Sequence, residues 1–554
     1  MTFLPSGRDD DEQARVAVRG DDTPVAVRPQ RTHRVGIWLQ LADGSLADGH
    51  GEGLIRWIRG LVGGFDRLPE VDTIVIPCAR GSRSLVEALF AGMDADSPPD
   101  GPPRLLSPKL RIVAVGRDHG RARQWHDWFT SRRGRLKERL AGFGVTANPL
   151  TWSAGLRPLV ATVPSSLGLV LTLIGRVWRI AVTTARLVGL EVVRPFVPRP
   201  RPVFDDMAAD LHGRTGETLW IVPNPAWGAA AGLPGRVVVN AADIVYREFP
   251  LIDVPADVIR AHQASLATLA ERAEAVVCFS RHVAERQVGP VVGGIAKRIA
   301  VVPHAPFTTT LSGLDDTASR RLLAEDLRRH FATSANGRPH RFFCDFPFEQ
   351  IEYLLVSSKC RPYKNYAGVL QAYERILRRH RRRVKLVVTG VLSANPELAA
   401  DLHRRGLVFD VIEAANVPEA VHARLIRHAR ALVIPTFFEG AMPFGFAEAV
   451  GLGTPVAFSR IPVVEEVLTA AEFDVPESFE PTDVEAMVRS ILHVLDHPAD
   501  VLARQRRVLE RFRERTWADV AAEYLACGGI AEAPRWSLPG IVGRLGRRPY
   551  AKAG

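Results

Sequence analysis

Cysteine is scarce. Five residues, Cys78, Cys278, Cys344, Cys360 and Cys527, are scattered through 554 with no Cys-x-x-Cys pair. That argues against a zinc ribbon and for reduced thiols in a cytosolic setting. Acidic residues are outnumbered 61 to 72 by Lys and Arg, a net charge of +11 carried mostly by arginine. Such a balance fits anionic partners: nucleotide diphosphates, acidic lipid surfaces or nucleic acid. An array of stacking aromatics is lacking, so nucleic acid is not expected. The opening segment, MTFLPSGRDDDEQARV, has no apolar core of signal-peptide type. No repeat of fixed period occurs. Asp94-Ala95-Asp96 is an isolated Asp-x-Asp before Ser97-Pro98-Pro99 and reads as a solvated turn, so no metal site is predicted.

What is present is a chain too long for one core, with strands and helices in alternation. Residues 1–32 read as a disordered arm. Arg34–Leu41 is the first strand, followed by Gly49, Gly51 and Gly53 and a helix over Leu54–Val62. The glycines are either a flexible turn or a close backbone approach to a ligand, the second favoured by their place after the first strand. Val71–Pro77 and Leu110–Val115 are further strands. Residues 118–216 then interrupt the rhythm. Within them Pro158–Gly175 is uncharged for eighteen residues, and Arg176, Arg179 and Arg186 share one face of the continuation. Three readings stand for 158–194: a helix lying in a membrane surface, a spanning helix, or an apolar insertion packed on the domain. The pattern resumes at Thr218. Ala275–Ser280 and Ile299–Pro303 close the first domain, and His282 reads as a surface or capping residue. A helix is expected around Ala318–Phe331, and the aromatic run Phe342–Phe348 is expected to pack on the crevice or the insertion. Residues 536–554 are basic with interspersed apolar residues, either a second membrane-surface contact or a disordered tail.

The chain is organised around Leu432–Ser459. The apolar run Leu432-Val433-Ile434 reads as a buried strand, Glu439-Gly440-Ala441-Met442 as a loop, Pro443 as the first turn of a helix, and Val456–Phe458 as a second buried strand. Backbone N–H groups near Phe444, Gly445 and Phe446 would point beyond the strand end, where the helix dipole favours an anion. Glu448 can accept hydrogen bonds from a diol such as a ribose, and Glu439 can hold sugar hydroxyls. Ser358 to Asn365 forms a second such place: Lys359, Arg361 and Lys364 lie between the strand Tyr353–Ser357 and a helix from Tyr366 to Arg378.

The Glu439 to Pro455 stretch, with Glu-Ala at 448 and Gly-Thr-Pro-Val at 453, resembles the donor-site signature of the retaining GT-B glycosyltransferases of family 4 (glycosyl transferases group 1). Eight residues separate Glu439 from Glu448 where that family usually has seven. The resemblance implies an α/β fold of two Rossmann-like domains facing a cleft. It places a first domain at 33–310 with an apolar helical insertion at 118–216, a connection at 311–350, a donor domain at 351–515, a helix crossing back at 516–529 and a basic tail at 530–554. It implies that Glu448 binds the donor ribose, that Glu439 faces the transferred sugar, and that Arg361 and Lys364, with Lys359, neutralise the diphosphate. Gly51 and Gly53 would face the phosphates, and the backbone at Asn416 and Val417 would bracket the nucleobase. The family's histidine falls on Ala242, so either Asn240 or Asp243 substitutes or the active site is arranged differently. The implied reaction is metal-independent and keeps the anomeric configuration, with no cofactor beyond a GDP- or UDP-linked sugar donor. The departing phosphate would help deprotonate a glycan or lipid-linked acceptor. The scattered cysteines point to a cytoplasmic setting, and the membrane-surface readings of 158–194 and 536–554 would make it peripheral on the inner face of the cell membrane. Two other readings remain: an inactive module that binds a nucleotide-sugar or serves as a scaffold, and an epimerase of the same fold.

Overall fold

The computed structural model describes residues 32–40, 53–79, 82–91, 105, 107–115, 203–249, 254–309, 311, 315–333 and 337–531. The predicted N-terminal arm, Gly49, Gly51, the Asp94–Asp96 turn, the 158–194 stretch and the 536–554 tail lie outside them.

Seven parallel strands form the first sheet: β1 (His33–Ile37), β2 (Val71–Ala79), β3 (Leu110–Val115), β4 (Thr218–Val222), β5 (Arg236–Asn240), β6 (Ala275–Cys278) and β7 (Ile299–Val301). Their order is β3-β2-β1-β4-β5-β6-β7. Near-continuous β-branched runs suit strands covered on both faces, and all five residues of β4 are buried. The first helix, α1 (Gly53–Asp66), is longer at both ends than the sequence predicts. It buries Ile55, Trp57, Ile58, Leu61, Val62 and Phe65 on one face. The strand predicted over Arg34–Leu41 ends at Ile37, although the Trp38 N–H still donates to the Ile221 carbonyl at 2.9 Å. The end of the predicted insertion, Val203–Asp210, is a helix with Met207 and Ala208 in the first core.

The second sheet has six strands: β8 (Tyr353–Val356), β9 (Lys385–Val388), β10 (Val411–Glu413), β11 (Ala431–Ile434), β12 (Val456–Ser459) and β13 (Ser478–Phe479), in the order β10-β9-β8-β11-β12-β13. The helices that matter below are α2 (Asp316–Thr333), α3 (Tyr366–Arg378), α4 (Glu419–His428), α5 (Phe444–Leu452) and α6 (Trp517–Cys527). α5 starts after Pro443 and stops at Gly453, whose φ of 88° needs a residue without a Cβ. One expectation fails here. Phe343 and Phe348 do not pack on the crevice; with Leu323, Leu327 and Phe331 of α2 they join the core beneath Tyr353 and Leu355. Residues 316–350 are thus a layer of the second domain. Aromatic side chains bury large areas, and a strand next in sequence is the nearest surface to cover.

α6 packs on the first domain. Its Trp517 lies across Gly60 and Gly64 of α1, where a Cβ at either glycine would overlap the tryptophan ring or its carbonyl. The Tyr524 hydroxyl donates to Asn240 Oδ1 at 2.9 Å, and Asn240 Nδ2 donates to the Pro223 carbonyl at 3.3 Å.

In both sheets the strand order reverses once, between β1 and β4 and between β8 and β11. Ligands of open parallel sheets sit beyond the carboxyl ends of strands at such a reversal. The loops after β8 and β11 and the first turn of α1 face one interdomain crevice.

Candidate active site

In the second domain the two loops predicted from sequence meet. The Phe437 N–H and the Thr436 hydroxyl both donate to the Tyr363 carbonyl, at 2.8 and 3.1 Å. That stitching brings Lys364 Nζ to within 2.5 Å of Glu439 Oε1, with both side chains mostly buried. Lys364 also lies 5.3 Å from the Tyr363 ring centroid. Arg361 is exposed at the loop's outer edge, and Lys359 is half-buried on the same loop. Asn416, in the left-handed region with φ 56°, is exposed after β10, and Val417 packs on the second core.

The helix starts are less open than the sequence implies. The Phe446 N–H donates to the Pro443 carbonyl at 3.1 Å within the first turn of α5. At α3 the Asn365 side chain accepts the Gly368 N–H at 3.2 Å, so that helix is capped by its own residue. The N–H groups at Phe444 and Gly445 therefore carry the anion expectation. Gly440 is placed by the domain contact: a Cβ there would overlap the Ala242 carbonyl, and its own carbonyl accepts from Ser280 Oγ at 3.0 Å.

Glu448 is buried, 4% exposed, on the inner face of α5. Its carboxylate is held by both terminal nitrogens of Arg56, one contact at 3.1 Å, with Thr309 Oγ1 at 3.5 Å. Arg56 comes from the first turn of α1, where sequence statistics favour acids over cations. That misplaced cation, three residues after Gly53, was the available signal for a residue that motif reading missed. Gly53 itself faces the Phe444 ring. His422 on α4 bonds Ser357 Oγ at 2.6 Å, and burial lowers its pKa, so the ring is neutral.

Of the two substitutes for the missing histidine, the structure brings only Asp243 to the crevice; Asn240 is buried in the bonds described above. Asp243 has a surface open to the crevice, although protein from both domains surrounds it. That re-entrant burial, with Glu439 close by, raises its carboxyl pKa to about 6; Lys364 opposes the rise. His282 is not a free surface residue: its ring bonds Glu248 at 2.5 Å. Its N–H and that of Arg281 donate to the Glu466 carboxylate of the second domain. His304 Nε2 lies 3.0 Å from the Met442 carbonyl, and burial lowers its pKa to about 4. Beside it is an apolar cavity of about 60 Å³ lined by Phe279, Pro303, Met442, Phe444 and Arg515. This cavity belongs to the domain contact and not to the Lys364–Glu439 chemistry. Among the described residues no group of three or more His, Cys, Asp or Glu is placed to hold a metal. No helix among them is long and apolar enough to cross a membrane.

Residues 345–515 match the family described as glycosyl transferases group 1. That match lies within the second domain and spans less than half of the chain. This chain is 28% identical over 188 residues to an O-antigen chain mannosyltransferase B of Escherichia coli. That alignment covers 33% of this chain and 42% of the relative. A sucrose-phosphate synthase structure from Thermosynechococcus elongatus superposes with a TM-score of 0.51 at 13% identity, over 89% of this chain and 97% of that one. The likeness is one of fold: two parallel-sheet domains in the GT-B arrangement. The group 1 match contains Lys359, Arg361, Lys364, Glu439 and Glu448, while Arg56, Asp243 and Ser280 lie outside it.

Proposed function

We propose that the protein transfers a sugar from a GDP- or UDP-linked donor to a glycan or lipid-linked acceptor, with retained anomeric configuration and without a metal. The observation that carries this reading is the Lys364–Glu439 pair beside the start of α5, with Glu448 one turn further on. A cation and helix-start N–H groups suit a diphosphate, and two carboxylates suit a sugar and a ribose. Charge grows on the leaving phosphate as the sugar bond breaks, so Lys364 and Arg361 stabilise the transition state more than the bound donor. Glu439, held by Lys364, faces the transferred sugar. Asp243 stands on the opposite wall, where its carboxylate can hold an acceptor hydroxyl while the departing phosphate takes the proton. The stretches 158–194 and 536–554 are the proposed contacts with an anionic membrane surface; co-sedimentation with anionic liposomes should drop when 158–194 is deleted, and unchanged binding removes that part.

Asp243 also supports a second reading. A carboxyl with a pKa near 6 can itself take the acceptor proton, which would give inversion. Proton NMR of the first-formed product separates the two by the anomeric coupling constant. The donor assignment is tested by a thermal-shift panel of nucleoside diphosphates and their sugars. One of them should stabilise the wild type, and Glu448→Ala and Lys364→Ala should lose most of that shift. Absence of any shift across the panel would remove the proposal.

A further inference from the structure

The Arg56–Glu448 pair joins a residue of the first domain to the carboxylate assigned above to the donor ribose, and the following rests on that assignment. A bound ribose needs the Glu448 oxygens that Arg56 now occupies. The arginine must then take another partner or be left as an uncompensated cation in a crevice.

Its surroundings decide where it goes. The guanidinium lies 5.0 Å from the Phe307 ring centroid and 5.5 Å from that of Phe444, one ring from each domain. Two aromatic contacts hold it in place independently of Glu448. Phe444 is the first residue of α5, and Glu448 is one turn on. A cation that touches both spans the distance between the helix-start N–H groups and the ribose carboxylate. In a nucleoside diphosphate the phosphate next to the ribose occupies that interval. A planar guanidinium that already meets a carboxylate through two nitrogens meets a phosphate the same way.

We propose that Arg56 is a donor-binding residue supplied by the first domain, which exchanges Glu448 for the donor's diphosphate when the nucleotide enters. The exchange keeps one anion on the guanidinium before and after. It makes nucleotide binding depend on both domains, although every donor residue legible in the sequence apart from the Gly51–Gly53 loop lies in the second.

The test is calorimetric titration of the full-length protein with GDP, UDP, GMP and UMP, for wild type, Arg56→Ala, Arg56→Lys and Glu448→Gln. Loss of a charged hydrogen-bonding partner predicts a diphosphate affinity about 10- to 100-fold weaker in Arg56→Ala. Monophosphate affinity should fall less, and Arg56→Lys should recover part of the loss. Glu448→Gln should weaken mono- and diphosphates alike. If Arg56→Ala binds the diphosphate as tightly as wild type or more tightly, Arg56 only plugs the ribose carboxylate and the proposal falls. If wild type binds none of the four, the donor assignment itself fails, a distinct result. Unfolding curves without ligand identify a variant that has lost its fold, and Arg56→Lys then decides the matter.

Discussion

The two walls of the crevice share a topology and differ in how they are furnished. The second domain draws Lys364 and Glu439 from two short loops that follow adjacent strands, β8 and β11, and are bonded directly to each other, and Glu448 from the helix α5 that comes next. The first domain draws Arg56 from α1 and Asp243, Ser280 and Thr309 from three separate connections, spread from position 56 to position 309. One wall is written as a motif; the other is assembled only by folding. On the proposed function the second domain supplies most of the donor contacts, and the first adds Arg56 to them and Asp243 on the acceptor side.

Removing the cation from the motif wall should have the largest effect. Lys364→Ala leaves Glu439 unpaired and takes away charge at the leaving phosphate, so kcat should fall about 10²–10³-fold in a donor-turnover assay. A smaller loss, below tenfold, would move the chemistry elsewhere. Next comes the contact between the walls. Gly440→Val puts a side chain into the Ala242 carbonyl and holds the domains apart. Transfer should drop about tenfold or more, the scale for misplaced reacting groups, and diphosphate affinity should fall with it as Arg56 is drawn away, monophosphate affinity falling less. Diphosphate affinity equal to wild type would show that the second domain binds the donor alone.

Asp243 sharpens the comparison by pH. Its folded pKa of about 6 lies above the ordinary 3.8. The folded state therefore holds the proton more tightly than the unfolded chain. The resulting stability is complete below about 4 and is lost as pH rises through about 6. Asp243→Asn should raise the melting temperature at pH 7 and flatten its change between pH 4 and 6. Transfer by the wild type should decline as pH falls below about 6, where Asp243 takes up its proton beside Glu439 and Lys364. A wild-type profile flat from pH 5 to 7 would contradict its role. The smallest effect is expected far from the crevice. Gly64→Ala disturbs the seat of Trp517, lowering the melting temperature by about 2–4 °C for each kcal/mol lost in a domain of this size, with nucleotide affinity unchanged.

Legibility in the sequence followed the same line. Apolar runs placed all of the strands that carry the site, and Gly453 and Pro443 marked the ends of α5 closely. Glu439, Glu448 and Lys364 could be singled out because strand, loop and helix are contiguous there. Arg56 was missed because its partner lies 392 residues away. Phe343 and Phe348 were misassigned because an aromatic run shows that a surface is covered without showing which one. The Phe446 N–H was counted as open because capping within a turn depends on loop geometry that residue types do not reveal. His282 was read as a capping or surface residue, and it stands at the N-cap of 283–288; its bond to Glu466 was not legible because Glu466 belongs to the other domain.

The central claim is that the crevice between the two strand-order reversals clasps a nucleoside diphosphate. It is tested most directly by a crystal structure of the protein soaked with the diphosphate that gives the largest thermal shift. The account predicts phosphate density at the start of α5 near Lys364, with the ribose on Glu448 and Arg56 turned to the phosphates. Nucleotide density away from α5, or an empty crevice at saturating ligand, would contradict it.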